Sequence, residues 1–174
     1  MKMLPFPNFR QAFEYDCGAT ALQTILAYYG HDLRGEKIMK LARTDKTGTR
    51  IKNIIHAAGK FGIMAKAKQM TIAEVIQNIN KGIPVLILLQ AWPGKKKAGW
   101  ETDWGNGHYV VAIGYDTKRL YFEDPSSIGR TYLTFRELDT RWHDESADGT
   151  RYEHYGIAFK CKRKYRCDRM IHMD

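Results

Sequence analysis

The chain has 174 residues, 44% of them hydrophobic and 27% charged, with a formal net charge of +9 at pH 7. That length and composition suit one globular domain with a core of its own, and exclude a disordered, collagen-like or low-complexity chain. The excess of positive charge favours anionic partners, whether acidic peptides, nucleic acid or lipid headgroups, without selecting among them.

In chain order, residues 1 to 16 read as an extended arm. The apolar positions Ala19, Leu22, Ile25, Leu26 and Tyr29 recur at three and four, which predicts an amphipathic helix over Gly18 to Tyr29, stopped at Gly30, with Cys17 at its N-terminus. Helices are also predicted over about Glu36 to Ala42 and about Ile51 to Gly59. A strand from Ala65 to Gln69 leads to Thr71-Ile72-Ala73-Glu74, a capping-box pattern that opens a helix running to about Asn80. Val85 to Leu89 is a continuous apolar run bounded by turn residues and reads as a central strand.

The segment from Trp92 to Gly107 has no period and reads as a surface loop. His108 opens a strand over Tyr109 to Tyr115, Asp116 to Arg119 makes a turn, and Leu120 to Glu123 returns as a hairpin closed by Asp124-Pro125. A strand about Thr131 to Thr134, a short helix from Phe135 towards Trp142 and a strand about Tyr155 to Cys161 complete the pattern. Helices first and antiparallel strands after make an α+β class, with a domain over 1–160 and a basic tail over 161–174.

The most apolar stretch, Ile83 to Ala91, has the length of a buried strand and falls short of the ~20 residues of a membrane span. Met1 to Arg10 lacks the charged-then-apolar pattern of a secretory signal. The three cysteines, Cys17, Cys161 and Cys167, are odd in number, and a reducing compartment accounts for free thiols more simply than a disulfide scheme. The expectation is a cytoplasmic protein without a membrane span, with peripheral membrane association through the basic tail left open.

The chemistry points to Cys17. A cysteine nucleophile acts as a thiolate, and free cysteine, with a pKa of about 8.5, is mostly protonated at neutral pH. A helix N-terminus favours an anion by ~0.3–1 kcal/mol, so an imidazolium partner is needed as well. Of the six histidines, only His108 has supporting geometry. Folding the hairpin about Asp116 brings Asp124 opposite it, and opposed residues have Cβ atoms ~4.5–5.5 Å apart. A carboxylate there fixes the tautomer and orientation of the ring. Attack on a carbonyl also needs donors for the oxyanion; the Cys17 backbone N–H is one, and Gln11, six residues upstream, offers a side-chain amide as another.

The run Gln11-Ala-Phe-Glu-Tyr-Asp-Cys17-Gly-Ala-Thr-Ala-Leu, the run Gly107-His108-Tyr-Val-Val and the run Tyr121-Phe-Glu-Asp124-Pro125 together resemble three blocks of the double-glycine leader peptidases. These are family 39 of the cysteine peptidases, known mainly as N-terminal domains of bacteriocin-exporting ABC transporters. Weaker echoes are Gly48-Thr-Arg-Ile51 with Gly62, and Leu133-Thr-Phe-Arg-Glu-Leu followed by Trp142, so that the resemblance covers about residues 8 to 145. It implies a papain-like fold, Cys17 as nucleophile, His108 as general base and acid, Asp124 as its orienter and Gln11 in the oxyanion hole. It also implies a peptide or protein substrate cut after Gly-Gly, with no cofactor. The chain has no membrane spans and no phosphate-binding loop of the Gly-x4-Gly-Lys-Ser/Thr type, so the expectation is a standalone domain, with a separate transporter left open as a partner.

Plainer readings stand beside these. A cysteine at a helix start is commonly a small buried residue, and Asp16 reads as a cap of the helix. Trp92, Trp100 and Trp104 form either a lid and peptide-binding wall, with Trp92 and Trp104 as substrate-binding candidates, or side chains folded onto the sheet. Cys161-x5-Cys167 has the wrong spacing for a zinc knuckle, so no metal is expected. The run Lys160 to Arg169 reads as a solvated tail, and nucleic acid is not the expected partner. Two rival functions are an amidase or acyltransferase acting on small peptides through the same triad, and a non-enzymatic module binding acidic peptides or nucleic acid.

Overall fold

Apolar periodicity and terminal caps decide where the helices form. The computed structural model describes residues 1–92, 99–146, 148–162, 170 and 172–173. Helix α1 spans Cys17–Tyr28 and ends at Gly30, whose φ of +85° is the left-handed stop a glycine supplies without a Cβ penalty. Helix α2 is Gly35–Leu41 and α3 is Ile51–Gly59. Helix α4, Ile72–Asn80, opens on the expected capping box: Thr71 Oγ1 accepts the Glu74 N–H at 3.2 Å and the Glu74 carboxylate accepts the Thr71 N–H at 2.9 Å. A second capping box, Thr134 with Glu137, starts α5, Phe135–Arg141, and had no counterpart in the sequence reading.

The strands are antiparallel throughout. Strand β1 is Lys2–Met3, β2 Met64–Gln69, β3 Val85–Gln90, β4 Gly107–Tyr115, β5 Arg119–Glu123, β6 Thr131–Thr134 and β9 Tyr155–Lys160. Their order is β2-β9-β3-β4-β5-β6, with β1 paired to the C-terminal end of β4. The run Val85 to Leu89 is central as expected: β3 lies between β9 and β4 and is buried along its whole length. Edge strand β2 carries Lys66 and Lys68, charges that discourage further pairing. A ribbon of β7, His143–Glu145, and β8, Arg151–Glu153, stands apart from the main sheet. Three-residue polar strands give no periodicity, which is why the sequence reading passed over this ribbon.

Helices α2 and α3 pack on α1, and α1 and α4 pack on β4. Leu22, Ile25 and Leu26 of α1 join Ile38, Ile54, Ala57, Val111 and Ile113 in one cluster, all fully buried. No described helix is long and apolar enough to cross a membrane. The tail expected over 161–174 and its Cys167 lie largely outside the described residues, as do positions 93–98 of the loop after Trp92.

The N-terminal arm is clamped to the sheet. Leu4 and Phe6 are buried, and the Leu4 N–H donates to the Ile113 carbonyl at 2.8 Å. Further along, the fully buried carboxylate of Glu123 accepts the Phe9 N–H at 3.1 Å and Asn8 Nδ2 at 3.3 Å, and pairs with Arg130. The Arg130 guanidinium also donates to the carbonyls of Phe6 and Pro7. Arg130→Ala leaves Glu123 buried without its cation, a class of change that costs about 3 kcal/mol or more when both partners are enclosed. Because Arg130 is 30% exposed, the loss expected in urea unfolding is at or below that figure, accompanied by faster proteolysis of the first ten residues.

Candidate active site

Cys17 is the first residue of α1, where backbone N–H groups have no partners within the helix. Asp16 occupies the cap position, but its side chain does not cap the helix. The carboxylate turns back to accept the N–H groups of Ala12 and Phe13, each at 3.2 Å, so it folds the arm rather than closing the helix end. That corrects the sequence expectation, and the reason is that the arm brings two unpaired donors within reach first. Next to Cys17, Gly18 lies so close to its neighbours that a Cβ would stand 2.9 Å from Thr49 and 3.0 Å from the Tyr109 ring. Tyr109 extends from β4 and donates from its hydroxyl to the Thr49 carbonyl at 3.0 Å, so its ring bridges the floor beside Cys17.

His108 pairs with Leu89 in the β3–β4 ladder. Its Nε2 lies 2.8 Å from Asp124 Oδ1, and both residues are buried, at 7% and 2% exposure. The carboxylate is held in turn: the Ser126 N–H (3.0 Å) and Oγ (2.7 Å) donate to Oδ1, and Thr131 Oγ1 donates to Oδ2 at 3.1 Å. With Nε2 engaged by Asp124, Nδ1 remains for the sulfur of Cys17, whose interaction with the imidazole favours the charged ring. Burial works against a charged ring, but the bond to Asp124 and the interaction with Cys17 outweigh it and raise the His108 pKa to about 9. Burial likewise opposes the Asp124 anion, yet its bond to His108 holds the carboxyl below the usual range.

The contact between His108 and Asp124 is the one expected from the sequence, but the register is not. Val111 faces Glu123 and Ala112 faces Phe122, then a bulge intervenes before Gly114 faces Tyr121 and Tyr115 faces Leu120. Asp124 therefore falls beside Val110, not opposite His108. The slip amounts to two residues, so both side chains stay on one face and meet diagonally.

A cleft of about 550 Å³ opens at Cys17, lined among others by Thr49, Arg50, Leu88, Tyr109, Asp144 and Tyr152. A smaller cavity of about 190 Å³ lies at Asp124 and includes Leu89, Trp92 and Tyr132. Gln11 is fixed on the arm by its N–H to the Pro125 carbonyl at 2.8 Å, one residue from Asp124. Its Nε2 donates to the Phe13 carbonyl at 2.7 Å, and its buried Oε1 has no hydrogen-bond partner among the described residues.

Neither tryptophan named from the sequence lines the Cys17 cleft. Trp92 borders the smaller cavity, while Trp104 packs its ring on His143 at 4.6 Å between centroids and lies under Arg151. Cys161 follows β9 beside Tyr29, at the far end of α1 from Cys17. Among the described residues no group of three or more His, Cys, Asp or Glu is placed to hold a metal ion. Sequence reasoning missed Tyr109, Ser126, Thr131 and Asp144. Only the first had a signal, as the neighbour of His108 in its block.

A family model described as the Peptidase C39 family matches residues 6–147. The chain is 39% identical over 133 residues to the pediocin PA-1 transport/processing ATP-binding protein PedD of Pediococcus acidilactici, covering 76% of this chain and 17% of that protein. It is 27% identical over 148 residues to the mesentericin-Y105 transport/processing ATP-binding protein MesD of Leuconostoc mesenteroides, covering 80% and 19%. The chain thus spans less than a fifth of the length of these two relatives. Its fold is similar to that of a double glycine motif protease from an AMS/PCAT transporter, solved in complex with the leader peptide. The TM-score is 0.66 at 22% identity, covering 90% of this chain and 92% of that one. The papain-like α+β fold implied by the sequence is the fold observed.

Proposed function

The chain belongs to the Peptidase C39 family, and from that premise we propose that it is a cysteine peptidase with Cys17 as nucleophile, His108 as general base and acid, Asp124 as the residue orienting the imidazole, and Gln11 with the Cys17 N–H as oxyanion hole. The observation that carries this reading is the buried hydrogen bond between the Asp124 carboxylate and the His108 ring, a ring whose charge Cys17 in turn favours. The thiolate attacks the scissile carbonyl, forming a C–S bond and an oxyanion that the two N–H donors receive. Collapse breaks the C–N bond, and the proton on His108 passes to the leaving amine. Water then attacks the thioester while His108 takes its proton, which releases the carboxylic acid and restores the thiolate. A ring that keeps its proton to about pH 9 holds that proton ready for the amine at neutral pH.

The substrate in this proposal is a precursor or leader peptide cut after small residues such as Gly-Gly. Support comes from Tyr109, whose ring bridges to Thr49 against Gly18 and narrows the cleft at the sulfur. Support also comes from the relatives, transport/processing proteins by name, which join processing to transport; a separate transporter is therefore the proposed partner. Incubation with peptides containing an internal Gly-Gly, read by mass spectrometry, should give one cut after the second glycine, blocked by iodoacetamide. Labelling at pH 6 should reach Cys17 far sooner than Cys161. Uncut peptides, or equal labelling of both thiols, would remove the basis for the proposal.

A further inference from the structure

The Cys17 cleft contains an ionised group for which the proposed reaction has no use. Asp144, on β7, is only 8% exposed, and it forms part of the cleft wall. It is built in rather than draped over the surface. The carboxylate presses on Gly107, where a Cβ would stand 2.4 Å from both oxygens, one residue before His108. Gln90, fully buried, donates from Nε2 to Asp144 Oδ1 at 2.8 Å and to the His143 carbonyl at 3.1 Å, and its Oε1 accepts the Asn106 N–H at 2.8 Å. Three segments remote in sequence are thereby tied around this one acid.

Burying a carboxylate is costly unless a cation or enough donors compensate. Among the described residues Asp144 forms no salt bridge with a lysine or arginine. Burial raises its pKa to about 6, opposed by hydrogen bonds from the Glu145 backbone and Gln90 and by the neighbouring His143 ring, so it is mostly ionised at neutral pH. The other acids of the same ribbon that line the cleft have partners: Glu145 pairs with Arg151 at 2.8 Å, and Asp148 accepts from Ser146 and Thr150. Positive charge in the cleft comes from Lys46, Arg50 and Lys52 of the 46–52 segment, with Arg50 in electrostatic range of Asp148. Within the cleft, Asp144 is the buried anion that an entering cationic group can meet.

We propose that Asp144 is a specificity-determining residue, receiving the lysine or arginine side chain of a substrate residue that flanks the scissile bond. This inference rests on the peptidase reading of the Cys17 cleft. An ammonium or guanidinium supplies the charge-assisted hydrogen bonds that the carboxylate lacks, in a site already mostly screened from water.

The test uses the full chain and peptides carrying Gly-Gly, in which each flanking residue is in turn lysine, norleucine or glutamate. At one position lysine should raise kcat/KM over glutamate by about tenfold or more, the size of one well-formed charge pair in a partly desolvated site. In Asp144→Asn, which keeps the shape and the acceptor for Gln90, that ratio should fall to near one whatever the overall rate. Glu145→Gln should keep it. Equal cleavage of lysine, norleucine and glutamate peptides by the native chain overturns the assignment to Asp144 while leaving the peptidase reading intact. So does a preference that survives in Asp144→Asn or disappears in Glu145→Gln. Failure to cleave any peptide of the set overturns both.

Discussion

Cys17→Ala should lower peptide cleavage by about 10⁵-fold or more, to the level set by the remaining binding and oxyanion groups. No other described side chain can take over, because Cys161 lies at the opposite end of α1 and His108 has only the Cys17 sulfur to activate. Circular dichroism and the urea midpoint should stay close to those of the native chain. Cys17 is partly exposed at the rim of a cleft, so removal of its sulfur creates no enclosed cavity. Single-turnover assays with a Gly-Gly peptide measure the effect directly. A residual rate within tenfold of native would show that the sulfur does not do the chemistry.

His108→Ala should cost about 10⁴-fold in kcat/KM, since it removes both the partner of the thiolate and the proton donor for the amine. The native pH profile carries the same information. With its pKa raised to about 9, the imidazolium persists through neutral pH, and activity that depends on it should decline as the pH rises through about 9. The stability linkage has the same sign. A histidine whose folded pKa lies above its unfolded value of about 6.5 contributes fully below that value, and the contribution vanishes as pH climbs through the folded pKa. Asp124 works in the other direction: its lowered pKa gives stability above the ordinary carboxylate range that is lost as pH falls. The pair is therefore strongest between those limits, and Asp124→Asn should move the alkaline limb to lower pH. A limb that stays in place would separate Asp124 from the histidine's titration.

Much of the site could be read because its parts stand in short, chemically distinctive runs. Cys17 precedes a helix whose apolar spacing is unambiguous, and His108 and Asp124 flank one hairpin. Folding the hairpin about Asp116 gives the observed contact through a register the strands do not adopt. The turn closes between Asp116 and Arg119, the Asp116 N–H donating to the Arg119 carbonyl at 3.0 Å, and a bulge between Ala112 and Gly114 shifts the ladder again. A bulge has no composition signal of its own. An even slip preserves the face, so the two errors together left the partner unchanged.

The sequence by itself determined the helices, the central strand, the α+β class and the triad candidates, because 3.6-residue spacing, capping boxes and apolar runs act between near neighbours. Only the tertiary structure decided that Asp16 folds the arm, that Glu123 and Arg130 clamp it, and that Tyr109 spans to Thr49. It also placed Asp144 on Gly107 beside Cys17. Those outcomes depend on which buried donors and acceptors meet once distant segments pack, and no local period in the chain encodes that meeting.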